Sequence, residues 1–108
     1  MRQTATQEEK AIMLMARNFQ KKEWFYAPDF MQPDTPQDCW IGYEASAVLS
    51  RLTKSYPMLF NIRKEGKYRF VSMRFDNLKN AKIELPRNLW EIIEYEIRFA
   101  TNTLPQPA

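Results

Sequence analysis

Residues 42–75 read GYEASAVLSRLTKSYPMLFNIRKEGKYRFVSMRF, and the fold turns on this stretch. It opens with a helical pattern, is cut by Pro57, and continues as two β-prone runs around Lys64-Glu65-Gly66-Lys67. In the helical part Ala45, Val48, Leu49 and Leu52 recur at i, i+3, i+4 and i+7, with Tyr56 a turn further on. That spacing lines up one buried stripe. The opposite face carries Glu44, Ser46, Ala47, Ser50, Arg51, Thr53, Lys54 and Ser55, with no bulky aliphatic side chain. A helix that must lie deep in a groove needs such a low, donor-rich face. An ordinary solvated face has the same composition, so the helix alone leaves both readings open.

Pro57 forbids continuation of the helix, having no N–H to donate. Leu59–Arg63 and Tyr68–Met73 are the strand candidates, and Gly66 stands where a tight hairpin turn wants positive φ. The inward face of the second strand is contested, since Tyr68 and Phe70 alternate against Val71 and Met73. Residues 51–82 hold nine cations (Arg51, Lys54, Arg63, Lys64, Lys67, Arg69, Arg74, Lys79, Lys82) and two acids (Glu65, Asp76). The local balance is therefore +7 in a chain of net charge +3, so the remainder is net acidic. Such lopsidedness points to a polyanionic partner.

Working outward, Thr6-Gln7-Glu8-Glu9 is a capping box, and Ile12, Met15, Ala16 and Phe19 predict an amphipathic helix to about Lys22. Glu23-Trp24-Phe25-Tyr26 is short and β-prone, and Pro28 suits the first turn of a short second helix through Gln32. Pro33–Pro36 marks a loop, and Gly42 is the turn residue before the third helix. Asp76–Lys82 reads as a polar connector. Leu85-Pro86 opens a last helix, spanning about 85–100, whose apolar residues cover more than one face. A terminal helix with that surplus either wraps across its own domain, with Trp90 and Ile93 closing the core, or packs against a second copy, giving a homodimer through the C-terminal helix. Residues 1–5 and 101–108 read as a loose leader and a flexible, proline-rich tail.

At 108 residues and 44% hydrophobic content the chain suits one α+β domain with a real core. Two glycines are too few for repetitive all-β structure, and no apolar run reaches the roughly 20 residues of a membrane span. One cysteine, Cys39, forms no internal disulfide, which suits a cytoplasmic setting. Histidine is absent, which removes imidazole bases and histidine metal ligands. Glu91, Glu94 and Glu96 share one helix and read as a solvated face rather than a metal site. The expectation is a non-enzyme with no cofactor, no membrane contact and no small-molecule substrate.

The order helix, short strand, short helix, helix, basic hairpin resembles a winged helix-turn-helix domain over about residues 7–75. The resemblance rests on Gly42, on Ala45, Val48, Leu49 and Leu52, and on the wing-like Arg63-Lys64-Glu65-Gly66-Lys67-Tyr68-Arg69. It departs from the family between Pro33 and Ile41, which is longer and richer in proline than the usual tight turn. It implies double-stranded DNA as partner, with the third helix in the major groove and the wing on nearby backbone. Carried over by position, Tyr43, Ser46, Ala47, Ser50, Arg51 and Lys54 would face bases and phosphates. Arg63, Lys64, Lys67 and Arg69 would serve the wing. The implied role is a small transcriptional regulator. The alternative is a protein–protein adaptor or inhibitor on the same scaffold, anchored by Trp24, Trp40 and Trp90. An RNA-binding module has least support, because no aromatic–basic stacking motif of the usual kind is visible.

Overall fold

The computed structural model describes residues 5–102. Thr6 starts the first helix, α1 (Gln7–Arg17), through the expected reciprocal box. Its Oγ1 accepts the Glu9 N–H at 3.2 Å while the Glu9 carboxylate accepts the Thr6 N–H at 2.7 Å. The helix ends five residues before Lys22, because the Asn18 side chain donates to the Leu14 carbonyl at 2.9 Å and the backbone turns away. Short polar side chains compete with the helical ladder in this way. Ala11, Ile12, Leu14, Met15 and Ala16 are buried.

Phe25 then forms an antiparallel bridge with Val71, exchanging N–H···O bonds of 2.8 and 2.7 Å. The expected second helix is a single 3-10 turn, Ala27–Phe30, with Pro28 at its start. The long proline-rich loop is not slack. A second 3-10 turn, Gln37–Cys39, buries Cys39, and the Phe30 carbonyl accepts both the Ile41 and Gly42 N–H groups at 2.8 and 3.3 Å. Gly42 has φ +90°, and a Cβ there would sit 2.9 Å from the Trp40 ring. This position requires glycine twice over.

The third helix of the sequence reading is α2 (Ala45–Ser55). Ala45, Val48, Leu49 and Leu52 are buried as expected, and Tyr56 is half-buried. Thr53, expected on the open face, is only 4% exposed; its hydroxyl donates to the Ser50 carbonyl at 3.0 Å and so needs no water. Strands β1 (Phe60–Glu65) and β2 (Tyr68–Met73) pair antiparallel, Phe60 with Met73 through to Glu65 with Tyr68. Of the two loop residues only Gly66, the first, has positive φ, at +62°, the pattern of a type II′ turn. The contested strand phase resolves by giving each set a face. Val71 and Met73 enter the core, while Tyr68 and Phe70 point outward to meet Tyr26.

The segment expected as a polar connector folds. Phe75–Asn77 is a 3-10 turn and Leu78–Glu84 is a helix, α3. Its lysines, alanine and glutamate favour a helix, and no breaker intervenes before Pro86. The last helix, α4, spans Arg87–Asn102; the Pro86 carbonyl accepts the N–H groups of Leu89 and Trp90, at 3.1 Å each. Thr101 and Asn102 thus belong to α4 rather than to the tail. The rest of the expected tail and residues 1–4 of the leader lie outside the described residues.

Leu89 and Ile93 of α4 join the core with α1, α2 and the hairpin. Glu96, expected on a solvated face, is 4% exposed and held by Arg17. The fold is α+β, with helices, an antiparallel hairpin and a C-terminal helix in an order compatible with a winged-helix-like arrangement. Among the described residues no helix is long and apolar enough to cross a membrane.

Candidate nucleic-acid interface

Burial of the Ala45–Leu52 stripe turns the opposite side of α2 to solvent. Tyr43, just before the helix, is 98% exposed; Ser46, Ala47, Arg51 and Lys54 are exposed and Ser50 is half-buried. Arg51 does not hang free. Its Nη2 donates to Glu8 Oε1 on α1 at 3.0 Å, a pair open to solvent on both sides. Sequence reading missed Glu8, because nothing local links positions 43 residues apart.

Strand parity divides the four wing residues. Lys64 and Arg69 are cross-strand partners on the face toward α2. Arg69 Nη2 lies 3.5 Å from Thr53 Oγ1, so the hairpin touches α2 one residue before Lys54. The Nε of Arg69 is buried with no hydrogen-bond partner. Lys67 stands in the turn with its Nζ 5.6 Å from the Tyr68 ring centre. Arg63 is on the other face, 4.6 Å from the Trp24 ring centre and 5.4 Å from that of Phe70, and is paired with Glu65 at 2.7 Å. The structure thus gathers Lys64 and Arg69 beside α2 and sets Arg63 apart from them.

The outer face holds aromatics that the sequence reading did not assemble. Tyr26 stacks on Phe70 with ring centres 4.9 Å apart and meets Tyr68 edge-on at 5.8 Å. Trp24 and Tyr26 come from the Phe25 strand, which places an aromatic–basic cluster where no contiguous motif exists. The available signal was the period-two spacing in both segments. Trp24, Trp40 and Trp90, the adaptor anchors, lie on three separate elements: that strand, the loop before α2, and α4.

Behind these surfaces an ion network ties α1, the long loop and α4 together. Arg17 Nη1 and Nη2 donate to the two carboxylate oxygens of Asp38 at 3.1 and 2.9 Å. Its Nε and Nη2 donate to Glu96 at 3.1 and 3.0 Å. The bonds to Glu96 and Asp38 raise the Arg17 pKa, and the bond from Arg17 holds Asp38 below the usual carboxylate range. Burial pushes the Cys39 thiol up to about 12, so it stays protonated at neutral pH. Among the described residues no group of three carboxylate or cysteine side chains could hold a metal ion. Set against protein-family models, curated proteins and solved structures, the chain finds no match.

Proposed function

We propose that this chain binds double-stranded DNA sequence-specifically, as a small non-enzymatic transcriptional regulator. The observation that carries the reading is the joint between α2 and the hairpin. A helix face of small and basic side chains meets a basic strand through Arg69 and Thr53. With α2 in the major groove, Tyr43, Ser46, Ala47, Ser50 and Arg51 face base edges, and Lys54, Lys64, Lys67 and Arg69 neutralise phosphates. The Arg51–Glu8 pair does not prevent this. An exposed ion pair is worth about 0–1 kcal/mol, whereas a bidentate arginine–guanine contact discriminates by about 1–3 kcal/mol. The duplex therefore outbids Glu8.

The exposed Tyr95 and Phe99 on α4, stacked at 6.2 Å, support a homodimer that doubles these contacts over a two-fold site. A lone buried cysteine suits a protein working in the reducing cytoplasm. The test is selection from a random duplex pool. Enrichment of one motif is the expected result; recovery of the starting distribution, or of no DNA, refutes the reading.

A further inference from the structure

The outer face of the hairpin is left unused by a duplex bound on α2. Register puts Arg63 opposite Phe70 and Glu65 opposite Tyr68 on this face, and the Phe25–Val71 bridge brings Trp24 and Tyr26 beside them. The result is a ladder of rings, Tyr26 on Phe70 at an interplanar angle of 25° with Tyr68 at its edge, flanked by Arg63 over Trp24. Tyr68 is the open end, 49% exposed, with Lys67 beside its ring.

Next to Tyr68 a cleft of about 150 Å³ runs between the hairpin, the Ala27–Phe30 turn and the start of α2. Tyr26, Tyr68, Lys67, Arg69 and Ser46 line it. Arg69 enters this region underused: its Nε has no partner and its Nη2 reaches Thr53 only at 3.5 Å. Glu65, the carboxylate nearest in register, is taken by Arg63 at 2.7 Å, which leaves the cleft its positive charge.

An exposed ring beside two cations and a hydroxyl matches one unpaired nucleotide, whose base offers a flat face and whose phosphate offers acceptors. An acidic peptide supplies carboxylates but no plane for the ladder. A duplex keeps its bases stacked inside and cannot present one to Tyr68. We propose that this edge of the hairpin binds single-stranded nucleic acid, with a base stacked on Tyr68 at the outer face and its phosphate reaching round β2 to Lys67 and Arg69 in the cleft on the α2 side. The site shares Lys67 and Arg69 with the duplex reading, but Tyr68 belongs to it alone.

The experiment is fluorescence anisotropy with short labelled oligo(dT), oligo(dU), oligo(U) and a random-sequence duplex. Tyr68→Ala should weaken oligo(dT) and oligo(U) binding by about 5- to 150-fold, the range for losing one base–aromatic stack. Tyr68→Phe should retain binding, and duplex affinity should hold in both variants. Oligo(dU) against oligo(U), which differ only in the 2′-hydroxyl, separates DNA from RNA as the strand bound. An abasic oligonucleotide binding as tightly as oligo(dT) overturns the proposal, as does a Tyr68→Ala protein indistinguishable from wild type. Retained oligo(dT) binding with no duplex binding removes the duplex reading and leaves this one standing.

Discussion

Two partners compete for the Arg51 guanidinium, Glu8 in the free protein and a base edge in the proposed complex. Glu8→Gln removes the first and should tighten duplex binding by no more than about fivefold, since an exposed pair is worth at most about 1 kcal/mol. Arg51→Lys keeps the charge but loses the planar fork. If Arg51 reads a guanine, competition between the selected site and single-base variants should show preference falling by about 1–3 kcal/mol at one base pair. Equal preference in the two proteins assigns Arg51 to phosphate instead. Cys39 offers a check on the packing: buried and protonated, it should resist iodoacetamide at neutral pH until the protein is denatured. The exposure of Arg51 was legible from helical period alone, because Leu49 and Leu52 fix which side of α2 is buried. Its pairing with Glu8 was not, since that contact exists only after α1 docks.

At the scale of elements, the hairpin stands where the sequence places it, with β2 at its expected bounds. Strand β1, however, runs Phe60–Glu65 rather than Leu59–Arg63, because Lys64 and Glu65 pair with Arg69 and Tyr68 and leave only Gly66-Lys67 as the loop. Gly66 and the flanking β-prone runs located the turn. Which side of β2 faces inward is undecidable from sequence, because both faces are apolar for different reasons: Val71 and Met73 enter the core, while Tyr68 and Phe70 meet Tyr26. A third strand seen only as one bridge, Phe25 to Val71, supplies the missing cover. The connector read at 76–82 failed differently, since polar composition does not forbid a helix when Leu78 can anchor it to the core. If Lys64 and Lys67 clamp the DNA backbone, Lys64→Ala with Lys67→Ala should weaken all duplexes alike. The log–log salt slope should fall by about 0.9 for each lost phosphate contact. An unchanged slope removes the wing from the interface.

For the whole molecule, the Arg17 network links α4 to α1 and the long loop beside the core contacts of Leu89 and Ile93. Breaking it with Glu96→Ala should cost on the order of 2–3 kcal/mol by urea unfolding, less than the roughly 3–5 for a fully buried pair. A third of the Arg17 side chain still meets water, which softens the loss. The Asp38 and Glu9 carboxyls titrate below their usual 3.8 and 4.5, Asp38 through Arg17 and Glu9 through the Thr6 N–H. Depressed folded values stabilise the protein above those pH values, and the gain is lost as pH falls through the lower folded ones. Asp38→Asn should therefore lower Tm modestly at neutral pH and converge on wild type in strong acid. A constant gap across pH contradicts the role given to Asp38.

The surplus apolar surface on α4 was visible in sequence and persists in Tyr95 and Phe99. Light scattering should give a dimer at micromolar concentration, and a strict monomer unchanged with concentration refutes it. The claim on which the rest depends is that the basic joint of α2 and hairpin meets DNA phosphates. Titration of a random-sequence duplex across salt concentrations measures this directly. Log affinity should fall linearly with log salt, with a slope of roughly −3.6 per protomer for contacts from Lys54, Lys64, Lys67 and Arg69. A slope near zero, or no binding even at low salt, contradicts the account.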